Sequence, residues 1–312
     1  MKDKVLILGA TGVLGFELAI QASKFSNIDL TISTRSMAEF SVHASNISAK
    51  VIEFTVEDFM NRPHSYDFDE FDVIINAIGA IKQKSFKEND MLQINGYFPI
   101  KLAETVNSNT QIFHFTTDCV YLGDDSSVKD EYTAHDANDI YGKSKSIGEV
   151  HKSNVINLRS SFVGMEINNS YSLLGWFLNL EKNSIIPGYT NQFWNGITAN
   201  SYSKIILNLI ECFKRGDIQG RAVMIPQSQV IHIVPKNYVS KYELLELFKE
   251  NTNRNDIVIQ PTVSEKAINR VISTKFDSFN IELWKGIGYL QVPTIQELVQ
   301  DMMDEYKARK LD

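Results

Sequence analysis

Apolar and polar positions alternate along the first 160 residues in two rhythms. Residues 5–8 form an unbroken apolar run, short enough for a strand and without a polar side. A strand covered on both faces of a parallel sheet requires that pattern. Leu14, Leu18, Ala22 and Phe25 then recur at the spacing of one helix face. Residues 29–33, 51–54, 73–75, 112–115 and 155–158 repeat the strand signal. Among them, Ile94, Phe98, Leu102 and Val106 mark a long helix expected to bend at Pro99, and residues 139–151 mark another. Strands alternating with helices predict an α/β fold, a doubly wound parallel sheet of Rossmann type. The right-handed crossover rule leaves few other topologies.

After Arg159 the rhythm weakens. Residues 170–181 are rich in Leu, Trp and Phe, residues 202–213 read as a helix, and residues 223–225 and 230–234 read as strands. Ser240 with Glu243, and Thr294 with Glu297, each make the Ser/Thr-x-x-Glu pattern that opens a helix. The expected division is a sheet domain over residues 1–160, joined by a helix and strand from about 196–234. Residues 161–195 and 235–312 then form a smaller mixed α/β lobe, interleaved with it. Such a lobe belongs over the carboxyl ends of the strands, where open α/β sheets place ligands.

Composition narrows the function. Hydrophobic residues make up 43% and charged residues 22% of the chain, enough to bury a large core and too apolar for disorder. A formal net charge of −7 argues against a nucleic-acid binder or a polybasic membrane-surface protein. It leaves room for a small anion in a locally positive pocket. Cys119 and Cys212 are too few for a disulfide framework, so reduced thiols are expected. No apolar run approaches the ~20 residues of a spanning helix, and residues 5–8 are too short for a signal-peptide core. A cytoplasmic protein is the expectation. The six histidines form no cluster, and no metal site is expected.

The first candidate chemistry follows strand one. Gly9-Ala10-Thr11-Gly12-Val13-Leu14-Gly15 has the spacing G-x-x-G-x-x-G at a strand–turn–helix junction. Gly9 permits the tight turn, Gly12 lets backbone approach a pyrophosphate, and Gly15 lets the helix pack close to the strand. The helix N-terminus adds free N–H groups and a partial positive charge. An ordinary tight turn is the alternative. An NAD-preferring site places an acid at the end of the second strand, for the ribose 2′-hydroxyl. Here Arg35 and Ser36 stand there, and Asp29 lies at the other end. Arg35 and Ser36 suit a 2′-phosphate, so NADP(H) is expected over NAD(H), a solvated surface arginine being the alternative.

A second set lies further on. Tyr141 and Lys145 are four residues apart, on one helical face. An ammonium beside a phenol favours phenolate and is expected to lower the tyrosine pKa. Thr117 ends the fifth strand, facing the same crevice, where its hydroxyl can bond a substrate carbonyl.

Together the glycine loop, Asn76-Ala77-Ile78-Gly79, Asn95, Thr117 and Tyr141-x-x-x-Lys145 resemble the extended short-chain dehydrogenase/reductases, over the first 160 residues. The resemblance implies that Tyr141 is the general acid–base and that Lys145 binds the nicotinamide ribose and lowers the tyrosine pKa. It implies that Thr117 polarises the substrate and that Asn95 supports a proton-relay water. The candidate cofactor residues are Gly9, Thr11, Gly12, Val13, Leu14, Gly15, Arg35, Ser36, Asn76, Ala77, Ile78 and Gly79, with Tyr141 and Lys145.

Residues 115–121 and 157–164 further resemble segments of the dTDP-4-dehydrorhamnose reductases, which reduce the 4-keto group of a nucleotide-linked 6-deoxyhexose. In that family a Thr-Asp pair and a Trp touch the sugar. The resemblance implies substrate roles for Thr117 and Asp118, and for Phe162, which stands where that family has Trp. Residues 194–198 and 268–275 resemble segments of related reductase-like proteins from polysaccharide gene sets, which adds Asn195 and Arg270 to the substrate set.

Several residues carry two readings. Asp118 contacts a sugar or caps a loop. Arg159 binds a pyrophosphate or makes an internal salt bridge. Arg270 and Lys275 reach a diphosphate or face solvent. Trp176, Phe177 and Trp194 line a pocket or fill a core, and core is favoured for Trp176 and Phe177. Cys119 reads as a small buried filler and His114 as structural.

The expected activity is NADPH-dependent reduction of a nucleotide-linked keto-sugar, in deoxysugar or cell-surface polysaccharide synthesis. An epimerase or dehydratase is the alternative enzyme, although dehydratases add Glu where Cys119 stands. A non-catalytic NADP-binding regulatory protein is the alternative of another class. A homodimer is possible for this family.

Overall fold

The structure is a computed structural model that describes residues 2–37, 47–84, 86–166, 171–215, 217–218, 221–222 and 229–311. Its first half runs β1 (Asp3–Leu8), α1 (Val13–Ala22), β2 (Ile28–Thr34), β3 (Lys50–Glu53), α2 (Val56–Asn61) and β4 (Val73–Asn76). There follow α3 (Glu88–Met91), α4 (Phe98–Thr105), β5 (Gln111–Thr116), α5 (Ile140–Ile147) and β6 (Val155–Arg159). The second half runs β7 (Phe162–Val163), α6 (Leu173–Leu178), β8 (Ile185–Tyr189), β9 (Gln192–Trp194), β10 (Ile197–Thr198) and α7 (Ala199–Arg215). After the short pair β11 (Asp217–Ile218) and β12 (Arg221–Ala222) come β13 (Val230–His232), β14 (Val239–Ser240) and α8 (Lys241–Thr252). The chain closes with β15 (Val258–Thr262), β16 (Ile268–Arg270), α9 (Asp277–Gly286) and α10 (Ile295–Leu311).

Seven strands make one sheet in the order β13-β6-β5-β4-β1-β2-β3, and every neighbouring pair is parallel. The expected doubly wound sheet is present. The order reverses between β1 and β4, which opens a crevice at their carboxyl ends. The unbroken apolar run of β1 has a direct cause. Val5 and Ile7 join the core with Leu14 and Leu18 of α1 and Ile205 and Ile206 of α7, whereas Leu6 and Leu8 join Phe54, Phe59 and Phe98 on the other face. Side chains alternate across a strand, and both faces are covered, so neither can be polar.

Two helices differ from expectation in ways that shape the site. The segment Leu92–Tyr97 between α3 and α4 is a π turn, and it holds the buried Asn95. The irregularity expected at Pro99 thus sits just before it, while Pro99 occupies the first turn of α4, where a missing N–H costs little. Helix α5 stops at Ile147 rather than 151. At Gly148 the chain lies so close to Asn95 that any Cβ would collide with the Asn95 carbonyl oxygen. Glu149 then turns inward instead of continuing the helix.

The downstream strand expected at 230–234 is β13, and it extends the sheet beside β6. The strand expected at 223–225 lies outside the described residues. The other second-half strands make small sheets, β14-β9-β16, β15-β8 and β10-β7. A separate core of Leu174, Phe177, Leu245, Phe248, Val299 and Met302 fills this region. Both capping patterns form. Ser240 accepts from the Glu243 N–H and Glu243 from the Ser240 N–H, and Thr294 and Glu297 repeat the exchange. Among the described residues no helix is long and apolar enough to cross a membrane.

Candidate active site

Strand ends deliver the residues. Leu8 leads into the glycine loop and Asn76, its partner in register, into the Ala77–Gly79 segment; β5 pairs His114 with Asn76 and runs two residues further, through Thr116 into Thr117. Gly9 has φ +88°, which favours glycine, and a Cβ there would press on Ala77 and Ile78. A Cβ at Gly15 would collide with the Gly9 carbonyl oxygen, so close packing of helix on loop requires glycine. Gly12 differs: a Cβ there meets only the Gly9 oxygen, at an ordinary 3.5 Å. Gly12 caps α1 with no side-chain hydrogen bond, and the first turn carries no acid. That end of α1, from Thr11 through Val13 and Leu14, is therefore an open and unneutralised helix N-terminus. Ser33 at the end of β2 braces the loop by accepting from the Gly9 N–H at 3.0 Å. Arg35 beyond it is exposed, and the Ser36 N–H bonds the Thr34 hydroxyl.

Helix α5 carries Tyr141 and Lys145. Asp139 caps it, accepting from the Gly142 N–H at 2.9 Å. A Cβ on Gly142 would collide with the Cys119 carbonyl oxygen, so this glycine lets α5 pack directly on the Thr117 loop. The Thr117 hydroxyl lies close enough to the Tyr141 phenol to favour its ionised form. The Lys145 ammonium is buried, donates to the Phe115 carbonyl at 3.2 Å and lies against Gly79. Asn95 is fully buried. It accepts from the Ala80 N–H at 2.8 Å and donates to the Ala80 carbonyl and the Ser144 hydroxyl, so it ties the loop after β4 to α5. Asn76 accepts from the Ile78 N–H and donates to His114 Nδ1, a buried histidine, which shapes the same loop.

The electrostatics depart from expectation at Tyr141. Burial pushes its phenol up rather than down; Cys119, Asp118 and Asp139 add to the rise, and the Thr117 hydroxyl opposes it. Burial lowers Lys145 to about 8, with the Glu149 carboxylate pulling the other way. The general reason is desolvation, which disfavours the charged form of both groups.

The substrate-side candidates divide. Asp118 is buried beside Thr117, accepting from Thr117 at 3.3 Å and from Ser161 at 2.6 Å. Arg270 reaches the same loop, donating to the Tyr121 carbonyl, and its charge acts on Asp118. Asn195 is engaged structurally: its amide exchanges hydrogen bonds with the Ile272 backbone at 2.7 and 3.0 Å and clamps the segment after β16. Phe162 packs its ring on Tyr202 of α7, at 6.1 Å between centroids, and so belongs to the core margin. Arg159 makes the internal salt bridge, with Nη2 on Glu149 at 2.6 Å and both groups buried. Lys275 pairs with Asp130 at 3.3 Å on an exposed face. Phe177 is core, but Trp176 is exposed and lines a cleft of about 320 Å³ with Tyr171, Gln83 and Lys241. The Cys119 thiol is pushed up to about 12 by burial, which suits a filler.

Sequence reasoning missed Lys82, whose ammonium stands 5.5 Å from the Tyr141 ring centroid and 2.6 Å from Asp139. The Lys82-Gln83-Lys84 run just past Gly79 was the available signal. It also missed Ser161, which joins Asp118 to Trp194, and no signal in the sequence marks it. Among the described residues no cluster of His, Cys, Asp and Glu could hold a metal ion.

A switched parallel sheet, an open glycine loop and a Thr–Tyr–Lys set at one crevice define the extended short-chain dehydrogenase/reductase class. Within it, the chain belongs to the family of the RmlD substrate binding domain, whose profile matches residues 2–308. Solved structures share the fold. A dTDP-4-dehydrorhamnose reductase from Clostridium acetobutylicum is 18% identical, with a TM-score of 0.67 over 97% of this chain and 99% of that one. One from Bacillus anthracis, in complex with NADP, is 17% identical with a TM-score of 0.69 over 98% and 100%. A mutant UDP-glucuronic acid 4-epimerase from Bacillus cereus, in complex with UDP-4-deoxy-4-fluoro-glucuronic acid and NAD, is 15% identical with a TM-score of 0.69 over 98% and 99%. A sequence comparison with curated proteins gives no match.

Proposed function

We propose that the protein is an NADPH-dependent reductase of a nucleotide-linked keto-sugar, of the 4-keto-6-deoxyhexose type. The observation that carries this reading is the meeting of Thr117, on the loop after β5, with Tyr141 of α5, with Lys145 buried one helical turn on. The family membership and the sugar-nucleotide enzymes that share the fold support it.

The chain's residues suit a dinucleotide. The open space at Gly12 and the acid-free, uncapped first turn of α1 are what a pyrophosphate needs. Lys145, beside Gly79, is placed for a ribose hydroxyl. A bound reduced nicotinamide supplies the hydride. Tyr141 gives its phenolic proton to the substrate's carbonyl oxygen, and the Thr117 hydroxyl holds that oxygen. Lys145, charged at neutral pH, then steadies the tyrosinate. Asn95 serves by fixing the Ala80 loop against α5. Residues 1–160 and the α7–β13 extension hold the cofactor, and the remaining lobe with Arg270 selects the sugar. Deoxysugar or polysaccharide synthesis in the cytoplasm is the matching setting.

The test is a panel of 4-keto nucleotide sugars, with NADPH consumption as readout. Turnover of at least one supports the reading; no turnover by a protein that binds NADPH favours a non-catalytic binding role. Cofactor choice rests on Arg35. Losing a charge-assisted contact worth about 1.5 kcal/mol, Arg35→Asp raises KM for NADPH about tenfold or more and spares NADH. Equal effects on both cofactors contradict the assignment.

A further inference from the structure

A line of hydrogen bonds runs from the second lobe into the Thr117 loop, and its direction is fixed. Trp194 on β9 folds its indole across Gly196, where no Cβ would fit. The indole N–H donates to Ser161 Oγ. An indole has one donor and no hydrogen-bond acceptor, so Ser161 must turn its own proton elsewhere. It donates to Asp118 Oδ2 at 2.6 Å. Asp118 Oδ1 takes the Thr117 hydroxyl at the longer distance of 3.3 Å. Thr117 Oγ1 accepts from the Cys119 N–H at 3.2 Å, and its hydroxyl acts on the Tyr141 phenol. Among the described residues, the side chains that donate to Asp118 are Ser161 and Thr117, with the Arg270 charge nearby. Burial raises the Asp118 pKa, and the Ser161 hydroxyl, the Arg270 charge and the Thr117 hydroxyl oppose that rise by favouring the carboxylate.

We infer that Trp194 and Ser161 are positioning residues that saturate the Asp118 carboxylate from the lobe side, leaving the Thr117 hydroxyl free to turn its proton to the substrate carbonyl. The short Ser161 bond and the long Thr117 bond give the order of strength this requires. The lobe is thereby coupled to the chemistry through one carboxylate: an indole on β9 decides how tightly Asp118 competes for the Thr117 proton. The substrate clause rests on the proposed reductase function, but the state of Asp118 does not.

The groups that face Asp118 are Arg270 from β16, Cys119 beside it and, through Thr117, Tyr141 from α5. None of them changes in Ser161→Ala, Ser161→Thr or Trp194→Phe. The experiment is an infrared pH titration of the Asp118 carboxyl in the full chain without substrate, assigned by its absence from Asp118→Asn or Asp118→Ser. Ser161→Ala is expected to raise the midpoint by about one pH unit, one hydrogen bond to a charged group lost. Trp194→Phe raises it by a smaller step, and Ser161→Thr restores it. In the active enzyme the acid limb of kcat/KM moves up by the same amounts, while KM for NADPH stays fixed. Midpoints unchanged in both Ser161→Ala and Trp194→Phe overturn the inference. The titration needs no turnover, so it still decides if no keto-sugar is reduced.

Discussion

Burial acts on both partners of the Tyr141–Lys145 pair by favouring their neutral forms, raising the phenol and lowering the ammonium to about 8. The lysine therefore costs stability. Folded, it loses its proton near 8; unfolded, near the ordinary value of about 10.4. Between these values the unfolded chain binds more protons, so stability rises as pH rises through that window. Below it the penalty is fully present. Lys145→Met is expected to raise unfolding free energy at pH 7 by about 1–3 kcal/mol, less whatever is lost with the bond to Phe115, and to abolish turnover. Denaturant unfolding checks the first half, and a destabilised variant contradicts it. The identity of these two residues was legible because a spacing of four puts them on one helix face. The sense of the tyrosine shift was not, since desolvation comes from β5, α5 and the Thr117 loop meeting in space. Ser161, Asn195 and Phe162 show the same limit: what each side chain bonds or packs against is set by elements 33 to 77 residues away.

Among the elements, the glycine loop separates fold from binding. Gly15 is required by packing and Gly12 is not, although the sequence spaces them identically. Gly15→Ala is expected to cost about 1–3 kcal/mol of stability, from overpacking against the Gly9 carbonyl. Gly12→Ala, at φ −82°, leaves stability within about 1 kcal/mol yet weakens NADPH binding about tenfold or more. Thermal melts beside cofactor titrations distinguish them; equal stability losses contradict the distinction. Strand runs and capping boxes were legible because each is a local pattern. The π turn at Asn95 and the early stop of α5 were not. They arise from the two segments pressing together at Gly148 and Asn95, a contact that neither segment announces alone.

The whole molecule is acidic, yet its crevice gathers positive groups: the α1 terminus, Lys145, Lys82 and Arg270, with Arg35 at its edge. The second half closes back on the first. Arg309 of α10 donates to Glu17 of α1 at 2.7 Å, bracing the glycine-loop helix with the last helix of the chain. Pairing at such range leaves no periodic trace, which is why the second half read as a mixed region while the first read as a sheet. In the proposed reaction Tyr141 delivers the proton in a carbonyl reduction. The most direct test of that step is Tyr141→Phe, measured for NADPH affinity and for turnover of the keto-sugar that the wild type reduces. NADPH affinity is expected to stay unchanged and kcat to fall about a thousandfold, within the range for a lost general acid. Turnover that survives the loss of the hydroxyl contradicts that role.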